Sequence, residues 1–131
     1  MSAEYEQEEF LEEQRLQPRL STSPDRDVLD FFQTYVDSFI KWDVLTFLHK
    51  NPSTLDTADN IARYVGRVAE DVEPALRELT AAGLLQATSV KEMRVYTLNT
   101  DAQLLAQLAK FATAAADGDF RRQAVYYLVR Q

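Results

Sequence analysis

The segment from Thr57 to Gly83 restricts the fold more than any other part of the chain. Thr57 carries the hydroxyl of a helix N-cap. Residues 58–65 follow with Ile61, Ala62 and Val65 directed inward, and Gly66 closes the helix with the residue type that most easily turns left-handed. A second helix begins almost at once. Its apolar positions Val72, Leu76 and Leu79 stand at i, i+4 and i+7, and Ala81-Ala82-Gly83-Leu84-Leu85 ends it. Two helices joined by a short turn that begins at glycine make a helix-turn-helix. Pro74 has no N–H and is comfortable only in a first helical turn, so the second helix is expected to start late, with Asp71 as its N-cap.

Beyond it, Leu84–Thr88 and Met93–Leu98 carry β-branched and aromatic residues on either side of a polar tip at Ser89–Glu92. This is a β-hairpin pattern, although the tip lacks the Asn-Gly pair that favours the tightest turns.

Upstream, Ser23-Pro24-Asp25 reads as a helix start, with a serine cap and a proline whose missing N–H costs nothing there. From Val28 to Leu48, 13 of 21 residues are apolar, among them Phe31, Phe32, Tyr35, Phe39, Trp42 and Phe47. One helix through this stretch is apolar around much of its circumference and needs cover on more than one side. The cover is either the C-terminal helices of the same chain or a second copy. Asn51-Pro52 stops the helix, and His49 and Lys50 fit its last turn as cations near the exposed carbonyls.

After the hairpin, Thr100 serves as N-cap for a helix that opens at Asp101 and places Leu104, Leu105, Leu108, Phe111, Ala112 and Ala115 on one broad face. Asp117-Gly118-Asp119 interrupts it. It lacks the further carboxylates and closing Glu of a calcium loop, so it reads as a helix break. A last helix places Phe120, Ala124, Tyr127 and Leu128 opposite Arg121, Arg122 and Arg130.

Composition narrows the chemistry. With no cysteine and one histidine in 131 residues, thiolate metal sites, disulfides and zinc clusters are not expected. Three scattered glycines, Gly66, Gly83 and Gly118, form no phosphate-cradling loop, and His49 has no partner legible in sequence. No catalytic residue, metal or cofactor is therefore assigned, and the chain is read as a non-enzyme. No apolar run approaches membrane-spanning length, and the N-terminus is acidic where a secretory signal starts positive; a cytoplasmic protein without membrane contact is the expectation.

The charge is uneven. A formal −7 arises from 21 acidic and 14 basic residues, and most of the excess lies in the N-terminal half. Six glutamates crowd residues 1–23, an acidic arm expected to be flexible, whereas residues 61–100 balance five acids against five bases. The domain proper is assigned to residues 24–131, with its core at 39–99.

Thr57, the Ile61-Ala62 pair, Gly66, Leu76 with Leu79, the Ala82-Gly83-Leu84-Leu85 ending and the strand Val95-Tyr96-Thr97-Leu98 together resemble the winged helix-turn-helix regulators of bacteria and archaea. The similarity is to those of the arsenical-repressor and multiple-antibiotic-resistance-repressor type. It implies a mainly α fold with a small β-wing, flanked by N- and C-terminal helices that pair two copies. Phe31, Phe32, Tyr35, Phe39, Tyr127 and Leu128 are the candidates for that homodimer interface. It also implies a regulator of transcription whose second motif helix enters the major groove. The candidate bases for DNA are Arg63, Arg67, Arg77, Lys91 and Arg94.

The same helix argues against DNA, because Glu70, Asp71, Glu73 and Glu78 outnumber Arg67 and Arg77 along it and phosphate contacts supply most of such affinity. The alternative function is an interaction module whose Glu70 and Glu73, with the Glu-rich arm, meet a basic protein partner.

Overall fold

A computed structural model describes residues 26–130. Among them the order is α1 (Arg26–Tyr35), α2 (Phe39–Lys50), β1 (Asp56–Thr57), α3 (Ala58–Val65), α4 (Ala69–Ala81), β2 (Leu85–Val90), β3 (Met93–Leu98), α5 (Ala102–Ala115) and α6 (Gly118–Val129). The Ser23-Pro24 helix start and the acidic arm lie outside the described residues.

The aromatic-rich stretch forms two helices where its periodicity predicts one. After Tyr35 the chain becomes extended, and Ser38 (φ −156°, ψ 160°) opens α2 by accepting the Lys41 N–H at 3.1 Å. A serine hydroxyl offered to the backbone competes with continued helix, and here it ends one helix and caps the next. The break lets both helices bury a face in one core, Val28, Phe31, Phe32 and Val36 from the α1 side and Val44, Leu45 and Leu48 from α2. Phe31 stacks on Phe111 of α5 at 5.3 Å, and Phe32 meets Trp42 and Phe120 edge-on at 6.1 and 5.9 Å. The α1 stripe is covered by α2, α5 and α6 of the same chain.

The helix-turn-helix forms around its caps. Thr57 Oγ1 accepts the Asn60 N–H at 3.2 Å, Gly66 is left-handed (φ 73°, ψ 34°), and the Arg67 N–H reaches back to the Ala62 carbonyl at 2.9 Å. The start of α4 departs from expectation. Val68 is its N-cap, without a side-chain bond, because the Val68 carbonyl already receives the N–H groups of Asp71 and Val72 at 3.1 and 3.2 Å. The first turn therefore closes ahead of Asp71, and Pro74 lies inside the helix. Pro74 has no N–H to give the Glu70 carbonyl, but both residues are exposed, so water can serve that carbonyl. Burial of Val72, Ala75, Leu76 and Leu79 on the opposite face offsets the loss.

The three strands make an antiparallel sheet in the order β1-β3-β2. Asp56 and Thr57 pair with Tyr96 and Val95, and β2 runs from Leu85 opposite Leu98 to Val90 opposite Met93. The hairpin tip is only Lys91-Glu92, so β2 continues through the polar residues expected to form the turn. Both tip residues are left-handed, with φ 52° and 69°. Asn99 ties the far end of the hairpin to α4 by donating from Nδ2 to the Gly83 carbonyl at 2.9 Å. The cap of α5 is Asp101 instead of Thr100, its carboxylate accepting the Gln103 and Leu104 N–H groups at 2.9 and 3.0 Å. Asp117 caps α6 in the same way, confirming the helix break.

Candidate nucleic-acid interface

The outer face of α4 carries Glu70, Asp71, Pro74, Arg77 and Glu78, all exposed, with Glu73 half-buried beside them. Arg77 Nη2 lies 3.1 Å from Glu73, one turn away on the same helix. Arg67, in the turn between the motif helices, donates to Asp43 of α2 at 2.8 Å. Arg63 donates to Asn60 Oδ1 at 2.9 Å and shares a groove of about 420 Å³ with Val90 and Met93 of the hairpin. Arg94 donates from Nε to the Tyr96 hydroxyl at 3.1 Å and stands 5.5 Å from the centre of that ring. Lys91 is exposed at the hairpin tip, and among the described residues it is the one expected DNA-binding base without an intramolecular partner. Three of the five bases are thus held by carboxylates or a buried tyrosine, and the exposed start of α4 presents Glu70 and Asp71.

Two charged groups that sequence reasoning passed over organise this face. Lys41 is only 7% exposed. Its ammonium lies 3.0 Å from Asp37 Oδ1 and 2.7 Å from Glu78 Oε1, joining the start of α2 to α4. Burial alone pulls the Lys41 ammonium toward deprotonation, but the hydrogen bonds to Glu78 and Asp37 outweigh it and hold the pKa above the ordinary lysine value. The available signal was a lysine at the i−3 and i−4 positions to Val44 and Leu45 within an apolar run.

Asp56, at the first strand, accepts from Asn60 Nδ2 at 2.6 Å, from the Tyr64 hydroxyl at 2.8 Å and from the Thr57 N–H at 2.9 Å. The Asn60 and Tyr64 hydrogen bonds hold its carboxyl below the usual range, and the carboxylate in turn raises the Tyr64 phenol. These bonds fasten α3 to the sheet. Among the described residues no cluster of metal-ligating side chains occurs, and no helix is long and apolar enough to cross a membrane.

The residues expected at a dimer interface divide into two sets. Phe31, Phe32 and Leu128 are buried within one chain, and Tyr35 is half-buried against Phe31 at 4.9 Å. Phe39 and Tyr127 are each 40% exposed. On α6 the solvent side also displays Val125, Tyr126 and Val129.

No protein-family model matches the chain, and a search of curated proteins finds no sequence match. Solved structures do match. A probable transcriptional regulator from Pseudomonas aeruginosa superposes with a TM-score of 0.53 at 18% identity, covering 83% of this chain and 81% of that one. BpsR of Bordetella bronchiseptica, whose DNA binding is regulated by 6-hydroxynicotinic acid, superposes with a TM-score of 0.51 at 22% identity, over 85% of this chain and 88% of its own. The fold is a winged helix-turn-helix. In these terms α3 and α4 are the motif helices, the β2-β3 hairpin is the wing, and α1, α5 and α6 flank the motif.

Proposed function

We propose that the chain is a winged-helix regulatory protein whose α4 surface receives a basic segment of a protein partner. One observation carries the reading. Arg67 and Arg77 are paired with Asp43 and Glu73, while Glu70 and Asp71 stand exposed where a nucleic-acid-binding helix would meet phosphates. A groove-entering helix of this charge repels the backbone that supplies most DNA affinity. Glu70 and Glu73 are the partner-facing residues.

A second reading rests on the wing. Lys91 and Arg94 are both exposed on the hairpin, and such a wing can grip minor-groove phosphates. One pair of measurements separates the two. Anisotropy titration of random duplex DNA at low salt is expected to show weak binding, and partner capture is expected to disappear with Glu70→Lys and Glu73→Lys. Tight duplex binding abolished by Lys91→Ala with Arg94→Ala, without any partner sensitive to Glu70 and Glu73, overturns the first reading.

A homodimer built on the exposed side of α6 accompanies either reading. Tyr126 is 65% and Val129 69% exposed, one turn from each other and beside Val125, an apolar strip that a second copy would cover. Sedimentation at micromolar concentration is expected to give twice the chain mass, and Tyr126→Glu with Val129→Glu to halve it. The expected compartment is the cytoplasm, where regulators of transcription act.

A further inference from the structure

The solvent side of α6 reads base, apolar strip, base. Val125, Tyr126 and Val129 form the strip, Arg121 and Arg122 stand one turn before it, and Arg130 follows one turn after Tyr126. All six side chains are exposed. From Asp119 to Arg130 three arginines face one aspartate, in a chain with a formal charge of −7. Arg121 donates from Nη1 to the Ala115 carbonyl at 3.3 Å, and Arg122 bridges to Asp119. Arg130 donates to the Tyr126 hydroxyl at 2.8 Å, its guanidinium 4.5 Å from the centre of that ring. Each guanidinium keeps further N–H groups for another acceptor.

The N-terminal arm holds the matching order. Glu8-Glu9-Phe10-Leu11-Glu12-Glu13 sets an apolar pair between two pairs of acids. Extended, the block spans about 17 Å. The α6 surface from Arg121 to Arg130 spans about 14 Å. The arm also leaves the fold from the right place. Helix α1 opens at Arg26, and Phe32, about 9 Å along it, meets Phe120 and Tyr127 of α6 at 5.9 and 5.4 Å. Residues 14–25 reach up to about 40 Å when extended, about twice the length of α6. The wing also joins exposed bases to exposed apolar residues, but Glu92 stands between Lys91 and Arg94, and Asp56 and Asp59 line the groove beside it.

We infer that residues 8–13 dock on α6 of the same chain. Phe10 and Leu11 cover Val125, Tyr126 and Val129, and the two glutamate pairs meet Arg121 with Arg122 at one end and Arg130 at the other. Exposed ion pairs are individually weak and screened by salt, so the tether matters: a short linker holds the arm at a roughly millimolar effective concentration. A second copy seeking the same strip has to displace the arm, which makes the arm a brake on pairing through α6. The docking itself depends neither on a second copy nor on what α4 binds.

The chain has no cysteine, so introduced pairs report contact without background. Gln7→Cys or Gln14→Cys, on either flank of the acidic block, is combined in the full chain with Gln123→Cys on α6 or with Gln107→Cys on α5. Gln107 shares a shallow pocket with Asp27 at the root of the arm, so an arm without a docking site reacts faster there. Disulfide formation after addition of diamide is timed at submicromolar concentration. For at least one arm position the Gln123→Cys pair is expected to close about tenfold faster than the Gln107→Cys pair, giving a product of single-chain mass. The advantage is expected to vanish at about 1 M salt, where the screening length is about 3 Å. It is also expected to vanish when Glu8, Glu9, Glu12 and Glu13 are changed to Gln, and in Arg122→Gln with Arg130→Gln. An unchanged melting temperature confirms that these variants fold. Faster closure at Gln107→Cys, rates indifferent to salt and to the Gln variants, or a product of twice the chain mass overturns the inference.

Discussion

Removing Lys41 should cost less than removing the acids that hold it. The Lys41 side chain is 9% exposed, whereas those of Asp37 and Glu78 are 60% and 63% exposed. In Lys41→Met the methylene stem keeps a buried counterpart of similar length, and both carboxylates return to water they already largely touch. Two ion pairs with a hydrated partner contribute about 0.2–1 kcal/mol each, and relief of the ammonium's desolvation opposes that loss. The net change is expected to stay within about 1 kcal/mol. The converse variant, Asp37→Asn with Glu78→Gln, leaves a buried ammonium facing neutral amides and is expected to lose about 2–3 kcal/mol. With a urea slope of about 1–2 kcal/mol/M, the double variant's midpoint falls by about 1 M or more, while that of Lys41→Met moves by half as much or less. Urea melts followed by far-ultraviolet dichroism measure both. Equal losses in the two variants, or a larger loss in Lys41→Met, refute the argument from one-sided burial. The alkaline limb gives a second check. Because the folded pKa of Lys41 is raised above 10.5, its contribution is complete below that value and is lost as pH rises through the folded one; Lys41→Met should lack that loss.

Three further outcomes follow from local geometry. Replacing the left-handed Lys91-Glu92 tip with Asn-Gly should stabilise the fold by about 1–2 kcal/mol, seen as a higher melting temperature; no gain would mean that the tip is unstrained. Gly66 is left-handed with nothing within 4 Å of an added Cβ, so Gly66→Ala should cost about 1–2 kcal/mol from conformation alone and Gly66→Asn less, as read by urea midpoint. Asp56 is held below 3.8 chiefly by Asn60 and then Tyr64. Its stabilising effect is therefore present above that value and lost as pH falls through the lowered one, and an acid titration of Asp56→Asn should show a shallower stability loss than the parent.

What could be read in advance was what the chain decides locally. Thr57 and Gly66 cap α3 through bonds to residues three or four positions away, so the residue types alone announce them. The α1–α2 break was hidden because apolar residues at helical spacing continue on both sides of Ser38, and periodicity cannot show that Ser38 offers a better cap than a helix interior. β1 is two residues long and exists only because Val95 and Tyr96 pair with it, a partnership 38–40 positions away that leaves no pattern in Asp56-Thr57. The five candidate bases were visible as residue types, but their engagement was not. Asp43 lies 24 positions from Arg67, and Glu78 lies further still from Lys41. A list of charges shows supply; only the fold shows which remain to spend.

Helix α2 touches opposite sides of the molecule through nearly consecutive residues. Lys41 grips Glu78 of α4, Asp43 grips Arg67 in the turn before it, and Trp42 and Thr46 form part of the wall of a cavity completed by α5 and Arg121. Mechanically it is a shaft with a crank at each side. The bridges at Lys41 and Asp43 reach Glu78 late in α4 and Arg67 ahead of its start, so the two helices are fastened at two points and the placement of Glu70 and Asp71 depends on both.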